Sequence, residues 1–353
     1  MTYEKQGLLV DDGHLERYAA NLGRSWKVIG VTTGKHDAVS LRRALGTLQA
    51  KHDALQRQYG NALDVPGAVR WLLDNHYMIQ REGSQASAAL RRARRLKTTE
   101  EGTVLGRMCA ALLRSGFGAV TKQRLSLFLR GFQQSMILER EELDCICAGL
   151  TAAAVASLSD LYSGASMEDA EEEARALFTG LRALSTEDYS ALIEQADLVE
   201  QQLLQDPAGV YPRMPRKSKA EYRARLSLLA KQAGITQYQA ARKALQLSAV
   251  QEGARAHVGW WILREPLGHA GKVRSGGAYI AWNLALTAVL SILAGFVSGS
   301  ALTALLLILP VSELVKRVLD AALLHRVPPA HVPRLSLDSG VPESGKTRCC
   351  VCA

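Results

Sequence analysis

The chain has 353 residues, of which 48% are hydrophobic and 22% are charged, and its 43 Lys and Arg against 34 Asp and Glu give a formal net charge of +9. This length is enough for two domain-sized units, and the opening segment MTYEKQGLLVDDGHLERY is too polar for a secretory signal peptide. We therefore expect roughly the first 270 residues to lie in the cytosol. The six Cys lack the spacing of a disulfide framework or a zinc site, and we expect Cys145 and Cys147 to be helix residues with idle thiols.

The sequence pattern up to about residue 265 is helical. Ala, Leu, Arg, Gln and Glu dominate, and apolar residues recur every three or four positions in runs such as DAVSLRRALGTLQAKHDALQRQY, residues 37–59. Four capping-box spacings predict helix starts: Ser166-x-x-Asp169, Ser185-x-x-Asp188, Ser218-x-x-Glu221 and Thr236-x-x-Gln239. Gly234 predicts a turn between helices, and no alternating strand pattern is evident. We predict an all-α, multi-helix cytosolic domain over residues 1–270.

Two segments of this region place proline at a predicted helix boundary. In residues 64–82, DVPGAVRWLLDNHYMIQRE, we expect Pro66 to open a helix at its first turn. The predicted broad face of that helix contains Val69, Leu72, Leu73, His76, Tyr77 and Ile79. In residues 210–225, VYPRMPRKSKAEYRAR, two prolines predict a break before the next helix.

A dense basic cluster lies at Arg91, Arg92, Arg94, Arg95 and Lys97. Neither an aromatic platform nor a known nucleic-acid motif accompanies it, so we expect no nucleic-acid partner. Two interpretations stay open: a solvated helix face, and a contact with anionic lipid headgroups.

Residues 275–312 contain no Asp, Glu, Lys or Arg. The first part, AYIAWNLALTAVLSILAGFV at 278–297, reaches about 30 Å as a helix, which matches the hydrocarbon core of a bilayer. After Gly299 the apolar pattern resumes as ALTALLLIL and continues to Glu313. We predict a transmembrane helical hairpin over 275–320, with helices at about 278–297 and 301–319. A buried hairpin in a large soluble protein is the alternative.

Basic residues flank this predicted hairpin, whereas its turn is uncharged. Lys272 and Arg274 precede it, and Lys316, Arg317, Arg326 and Arg334 follow the second apolar run. Because basic flanks stay cytoplasmic, we predict that both ends of the hairpin lie inside the cell and that the lipid bilayer is a partner.

Three segments follow one another along the chain: WLLDNHYMIQRE at 71–82, YPRMPRKSKAEYRARLSLLAKQAGITQYQAARKALQL at 211–247 and AHVGWWIL at 256–263. Together and in this order they resemble the N-terminal region of bacterial cyclic β-1,2-glucan synthases. The tail PPAHVPRLSLDSGVPESGKT at 328–347 looks like that family's approach to its glycosyltransferase domain. The resemblance covers residues 64–347 and includes a transmembrane pair.

The resemblance implies a large inner-membrane enzyme that polymerises glucose from UDP-glucose and cyclises the product, with a divalent metal in its transferase domain. In this interpretation, residues 321–353 form the tail at the start of that domain, which the chain lacks and with which it would associate. The ending RCCVCA departs from the apolar strand expected there and suggests a frameshift or a premature stop. Its last four residues, CVCA, also match a prenylation signal formally. We give this match little weight because a bacterial relative has no prenylation machinery.

The sequence predicts no catalytic, cofactor-binding or metal-ligating residue. The segment 340–347, GVPESGKT, matches a P-loop formally, but only six residues follow it, too few for the helix on which a P-loop depends. No Asp-x-Asp pair is present for a metal-bound diphosphate, and whether the chain is an enzyme is left open. The leading interpretation is a non-catalytic, membrane-anchoring part of such a synthase; the alternative is a stand-alone membrane-anchored helical scaffold that binds a partner protein.

Overall fold

The computed structural model describes residues 10–118, 120–164, 170–268 and 277–326, without the side chains of Ala278 and residues 324–326. The chain divides into two compact units, Met1–Gln201 and Gln202–Ala353. The domain boundary predicted near residue 270 falls within the second unit. The predicted cap at Ser166, the flanking Lys272 and Arg274, and the P-loop match lie outside the described residues.

The described chain is mostly helical, which confirms the predicted class at that level. The helices that begin in the first unit are α1 Asp12–Ser25, α2 Lys35–Tyr59, α3 Gly67–Arg92, α4 Val104–Ser115, α5 Lys122–Gln133, α6 Arg140–Asp144, α7 Ile146–Ser163, α8 Glu171–Thr186, α9 Ser190–Ala196 and α10 Leu198–Leu204. Helix α7 is the central element and packs against α2, α3, α4 and α8. Its Leu150, Val155 and Leu158 are fully buried, and each such side chain contributes about 2 kcal/mol of hydrophobic stabilisation.

Helix α3 has the predicted apolar face with one exception. Val69, Leu72 and Ile79 are buried, whereas Tyr77 is 77% exposed, so the face is narrower than predicted. Pro66 is the residue just before the helix, one position earlier than a first-turn proline. The helix is attached to α7 by the hydroxyl of Tyr162, which donates to the carbonyl oxygen of Ala68 at 2.6 Å.

The structure also contains a small sheet, for which the sequence showed no alternating strand pattern. An antiparallel sheet has the order β1 (Gly30–Thr32), β2 (Leu96–Thr99) and β3 (Gly102–Thr103). Each strand has two to four residues, too few for an alternating apolar pattern to emerge from the sequence.

A buried carboxylate secures β2 to α6. The side chain of Glu142 is fully buried, accepts hydrogen bonds from the backbone N–H groups of Lys97 and Glu139 at 2.9 Å each, and forms an ion pair with the Lys97 ammonium. Glu141 beside it accepts from the backbone N–H groups of Arg94 and Arg95 at 3.0 and 2.8 Å. The backbone of the basic cluster is therefore held in place by two carboxylates of α6.

The described part of the second unit contains four further α-helices: α11 Arg216–Ala233, α12 Gln237–Ala249, α13 Gly277–Ser298 and α14 Ala301–Arg326. Gly234 ends α11 in the left-handed conformation at φ 65°, as its predicted turn role requires. A π-helical turn at Trp260–Arg264 packs against α11 and α12 and is flanked by 3-10 turns at Gly253–Ala256 and Pro266–Gly268. Helix α13 matches the first predicted apolar helix to within a residue, whereas α14 continues seven residues past the predicted end at 319.

Candidate functional site

Helices α13 and α14 pack against each other and are joined by Gly299 and Ser300. Close to this turn, Gly295 lies so near α14 that a Cβ added to it would be 2.7 Å from the Cβ of Ala304. At the other end of the pair, the hydroxyl of Tyr279 donates to Asp320 Oδ1 at 2.7 Å. The two helices are therefore antiparallel and remain in contact along their length.

The surface of this pair is apolar and its interior contains hydroxyl groups. Trp282 is 64% exposed and Phe296 is 81% exposed, whereas Thr287 and Ser291, one helical turn apart, are only 5% and 3% exposed. Among the described residues, neither buried hydroxyl oxygen has a hydrogen-bond partner. The other large apolar side chains on the outside are Ile280, Leu284, Leu286, Val289, Leu290, Ile292, Leu293, Val297, Leu302, Leu305, Leu306, Ile308, Leu309, Leu314, Val318 and Leu323. A helix pair in water buries such residues, whereas helices in lipid expose them and meet through small residues.

Two described helices, α7 and α13, are long and apolar enough to cross a membrane by length and composition. Helix α7 packs among four neighbours in the core of the first unit, which explains its apolar composition without a membrane. Helix α13 has most of its apolar side chains exposed. Length and composition alone therefore do not distinguish α7 from α13. Burial distinguishes them, because α7 lies in the core of the first unit and α13 has an exposed apolar surface.

The second unit also contains a cluster of polar side chains centred on Asp206, whose side chain is fully buried. Its Oδ2 accepts from the backbone N–H groups of Val210 and Tyr211 at 2.9 and 3.0 Å and lies 2.8 Å from His257 Nδ1. Its Oδ1 accepts from the backbone N–H of Val258 at 2.9 Å. Burial alone raises the pKa of Asp206, but the hydrogen bonds from His257, Tyr211 and Val258 outweigh it and hold the pKa below its usual value.

Tyr222 completes this cluster, with its hydroxyl 3.1 Å from His257 Nε2. Burial and the Asp206 charge raise the pKa of Tyr222 to about 12, so its hydroxyl stays protonated near neutral pH. With the Nδ1 proton directed at Asp206, Nε2 of the imidazole accepts from this hydroxyl. All three side chains are buried or nearly so, which fits a structural connection better than a nucleophile open to substrate.

The cluster unites two of the three segments that carry the family resemblance. Tyr211 and Tyr222 belong to the segment 211–247, and His257 and Val258 belong to the segment 256–263. Sequence reasoning missed Asp206 because it lies outside both segments and 51 positions before His257. The paired prolines after Val210, which predicted an irregular connection, were the available signal.

The three described cysteines and one cleft of the first unit are the remaining candidates for a site. Burial raises the pKa of Cys145 to about 11 and also raises the pKa of Cys109 and of Cys147, so all three remain thiols at neutral pH. A cleft of about 450 Å³ between α5, α9 and α10 is lined mainly by glutamine amides and aliphatic side chains, together with Ser126 and Arg130. Its Gln133 already donates to the carbonyl oxygen of Ala196 at 2.8 Å. Within the described residues, no group of three or more His, Cys, Asp or Glu is positioned to hold a metal ion.

His52 on α2 and His76 on α3 form a stacked pair with ring centroids 4.0 Å apart. Asp53 lies 3.1 Å from His52 Nδ1, and Gln80 lies 3.3 Å from His76 Nε2. Burial and the neighbouring His52 lower the pKa of His76, and Asp53 opposes this only in part. The folded first unit therefore disfavours the protonated form of His76.

This pair predicts a pH-dependent stability. A lowered pKa means that the unfolded state binds more protons near pH 6, so stability falls as the pH drops through the ordinary His pKa of about 6.5. We expect thermal unfolding of the first unit to shift to lower temperature between about pH 7.5 and pH 5.5. The H76Q variant is expected to reduce this shift, and the H14Q variant, at an exposed position, to retain it. An unchanged shift in H76Q would contradict the assignment.

The chain matches no known family and no curated protein in the comparisons made with each.

Proposed function

We propose that this chain is a membrane-anchored helical module whose second unit crosses a lipid bilayer twice through α13 and α14. The observation that carries the proposal is the inverted polarity of the pair, with Trp282 and Phe296 outside and the hydroxyls of Thr287 and Ser291 inside. Helix α13 has 22 residues and is about 33 Å long, enough for the hydrocarbon core. Transferring its exposed apolar side chains from water into lipid is the main driving force for insertion.

Helix α14 is the less apolar partner, and its charges indicate where the cytoplasmic interface lies. Glu313, Lys316 and Arg317 are exposed and occupy its second half, beyond Pro310. Since the helices are antiparallel, this half of α14 lies beside the first half of α13, which contains Trp282. An interface at this level suits both an aromatic ring and side chains that extend to the headgroups. Pro310 lacks a backbone N–H, and membrane helices tolerate this interruption.

We further propose that the module belongs to the N-terminal region of a cyclic β-1,2-glucan synthase in a bacterial inner membrane, with both its N-terminal domain and its C-terminus in the cytoplasm. The support is the three ordered segments, two of which meet at Asp206. Its role would be to anchor and orient a glycosyltransferase domain that binds UDP-glucose and a divalent metal. In this role the chain itself performs no chemistry.

Topology is the sharpest test of the membrane proposal. Reporter fusions after residues 270 and 325 are expected to report the cytoplasm, and a fusion after Gly299 is expected to report the opposite side, because basic residues flank both ends and the turn is uncharged. The measurement is paired reporter activity, with one reporter active only in the cytoplasm and one active only outside it.

A fusion after residue 325 that reports the outside would show that α14 does not cross and would contradict the two-span arrangement. Cytoplasmic signals from all three fusions would contradict membrane crossing altogether. The family assignment has its own test in the coding DNA beyond codon 353. A downstream frame that encodes a glycosyltransferase supports it, and the absence of one favours the stand-alone scaffold.

A further inference from the structure

The first unit has an exposed aliphatic group on the outer strand of its sheet. Val28, Ile29 and Val31 are 40%, 56% and 60% exposed, although the first unit has an extensive core elsewhere. They lie in β1 or immediately before it, and among the described strands β1 pairs only with β2. Ile29 and Val31, two residues apart, lie on one face of the sheet and form an apolar ridge there, and the exposed Val28 precedes them in the chain.

The basic cluster meets this ridge at its Val31 end. Val31 is the cross-strand partner of Lys97, and the Gly34 N–H donates to the carbonyl oxygen of Ala93 at 3.0 Å. Side chains two residues apart on a strand, or directly opposite on paired strands, share one face of the sheet. Ile29 and Val31 therefore lie on the face shared with Lys97, and the opposite face places Leu96 in the core.

The charge of this cluster is only partly neutralised within the fold. Lys97 is paired with the buried Glu142, and Glu141 is engaged by the backbone N–H groups of Arg94 and Arg95. Of the ion pairs between described residues, none includes the guanidinium of Arg91, Arg92, Arg94 or Arg95. A positive surplus thus lies at the Val31 end of the aliphatic ridge.

We propose that Ile29 and Val31, together with Arg91, Arg92, Arg94 and Arg95, form a docking patch for an anionic bilayer surface. Aliphatic side chains beside guanidinium groups match the boundary where lipid phosphates meet acyl chains. Each guanidinium can bind a phosphate through two hydrogen bonds, and the ridge can enter the acyl region. The proposal rests on the membrane anchorage proposed above, which brings this unit within reach of lipid.

The test uses the full chain reconstituted in nanodiscs made either of phosphatidylcholine alone or of a mixture with phosphatidylglycerol. Hydrogen–deuterium exchange is followed in peptides that cover residues 27–33, residues 91–98 and helix α13. We expect exchange in residues 27–33 and 91–98 to slow several-fold in the anionic discs only, and high salt to reverse the effect. Helix α13 is expected to be protected in both lipid compositions.

Two variants and one control separate the contributions. The R91E/R92E/R94E/R95E variant is expected to lose the anionic-lipid effect, and I29S/V31S to weaken it while the core helix α7 stays protected. The control R42E/R43E reverses two exposed charges on α2 and is expected to retain the effect.

Equal exchange in both lipids with α13 protected would overturn the docking patch and leave the anchorage intact. Fast exchange of α13 in both lipids would instead contradict the anchorage. Protection of residues 27–33 that is independent of lipid charge and of the arginines would also overturn the patch, because it would indicate a protein contact.

Discussion

Replacing Asp206 with Asn is expected to lower the free energy of unfolding of the second unit by about 3 kcal/mol. The carboxylate accepts four hydrogen bonds, three at Oδ2 and one at Oδ1. An amide has one oxygen and one NH₂ group, so in either orientation the NH₂ faces at least one N–H donor. In the orientation that preserves the three bonds at Oδ2, the backbone N–H of Val258 loses its acceptor. In both cases a buried donor is left unsatisfied, which costs more than an average hydrogen bond.

The measurement is hydrogen exchange and chemical denaturation of the full chain in detergent, with E252Q as a control at an exposed position of the same unit. In D206N, exchange is expected to accelerate in the 3-10 turn at Tyr211–Arg213, in α11 and around His257, since these elements meet at Asp206. A loss below about 1 kcal/mol would indicate that the cluster is not an energetic centre of the unit.

The pH dependence provides a second readout for the same residue. The pKa of Asp206 is lowered in the folded protein, so its stabilising contribution is complete above the ordinary Asp pKa of about 3.9. The contribution disappears as the pH falls through the lower folded-state pKa. D206N is therefore expected to lose this part of the acid sensitivity, whereas E252Q retains it.

Local sequence signals predicted that the helices are present more accurately than they predicted the residue at which each helix begins. Thr236 and Gln239 form the predicted capping box, with both reciprocal hydrogen bonds present. Ser185 instead lies in the last turn of α8, and Ser218 lies inside α11, which begins at Arg216 after Pro215. The spacing of a capping box records which residues are able to cap, but the preceding chain decides where the helix begins.

The parts that sequence reasoning missed depend on residues far apart in the chain. Glu142 meets Lys97 across 45 positions, and His257 meets Asp206 across 51 positions. A single carboxylate in a helical sequence resembles any solvated residue until the fold removes it from water. The helices in the long uncharged run from residue 275 were predictable because a continuous apolar stretch is a local signal that is read directly from the sequence. The buried positions of Thr287 and Ser291 emerged only when α13 and α14 were paired.

The contact between α1 and α5 makes a second large effect predictable. Gly131 on α5 lies so close to α1 that an added Cβ would be 2.0 Å from the carbonyl oxygen of Glu16 and 2.8 Å from its Cα. These are backbone atoms, so no side-chain rotation relieves the clash. The same interface is fixed by Ser135, whose hydroxyl donates to the carbonyl oxygen of Ala20 at 3.0 Å. The two helices must therefore separate to admit a methyl group.

We expect G131A to lower the free energy of unfolding of the first unit by about 3 kcal/mol, since overpacking against backbone outweighs the helix-propensity gain of about 1 kcal/mol. G46A is the matched control: Gly46 is an exposed residue within α2, and no atom lies within 4 Å of its added Cβ. Its expected effect has the opposite sign, a stabilisation of about 0.5–1 kcal/mol. Thermal and chemical unfolding of the full chain, with exchange in α1 and α5 as the local readout, measures both variants. If G131A and G46A were equally stable, α1 and α5 would be farther apart than the structure indicates, because the close contact at Glu16 is the reason for expecting opposite signs at the two sites.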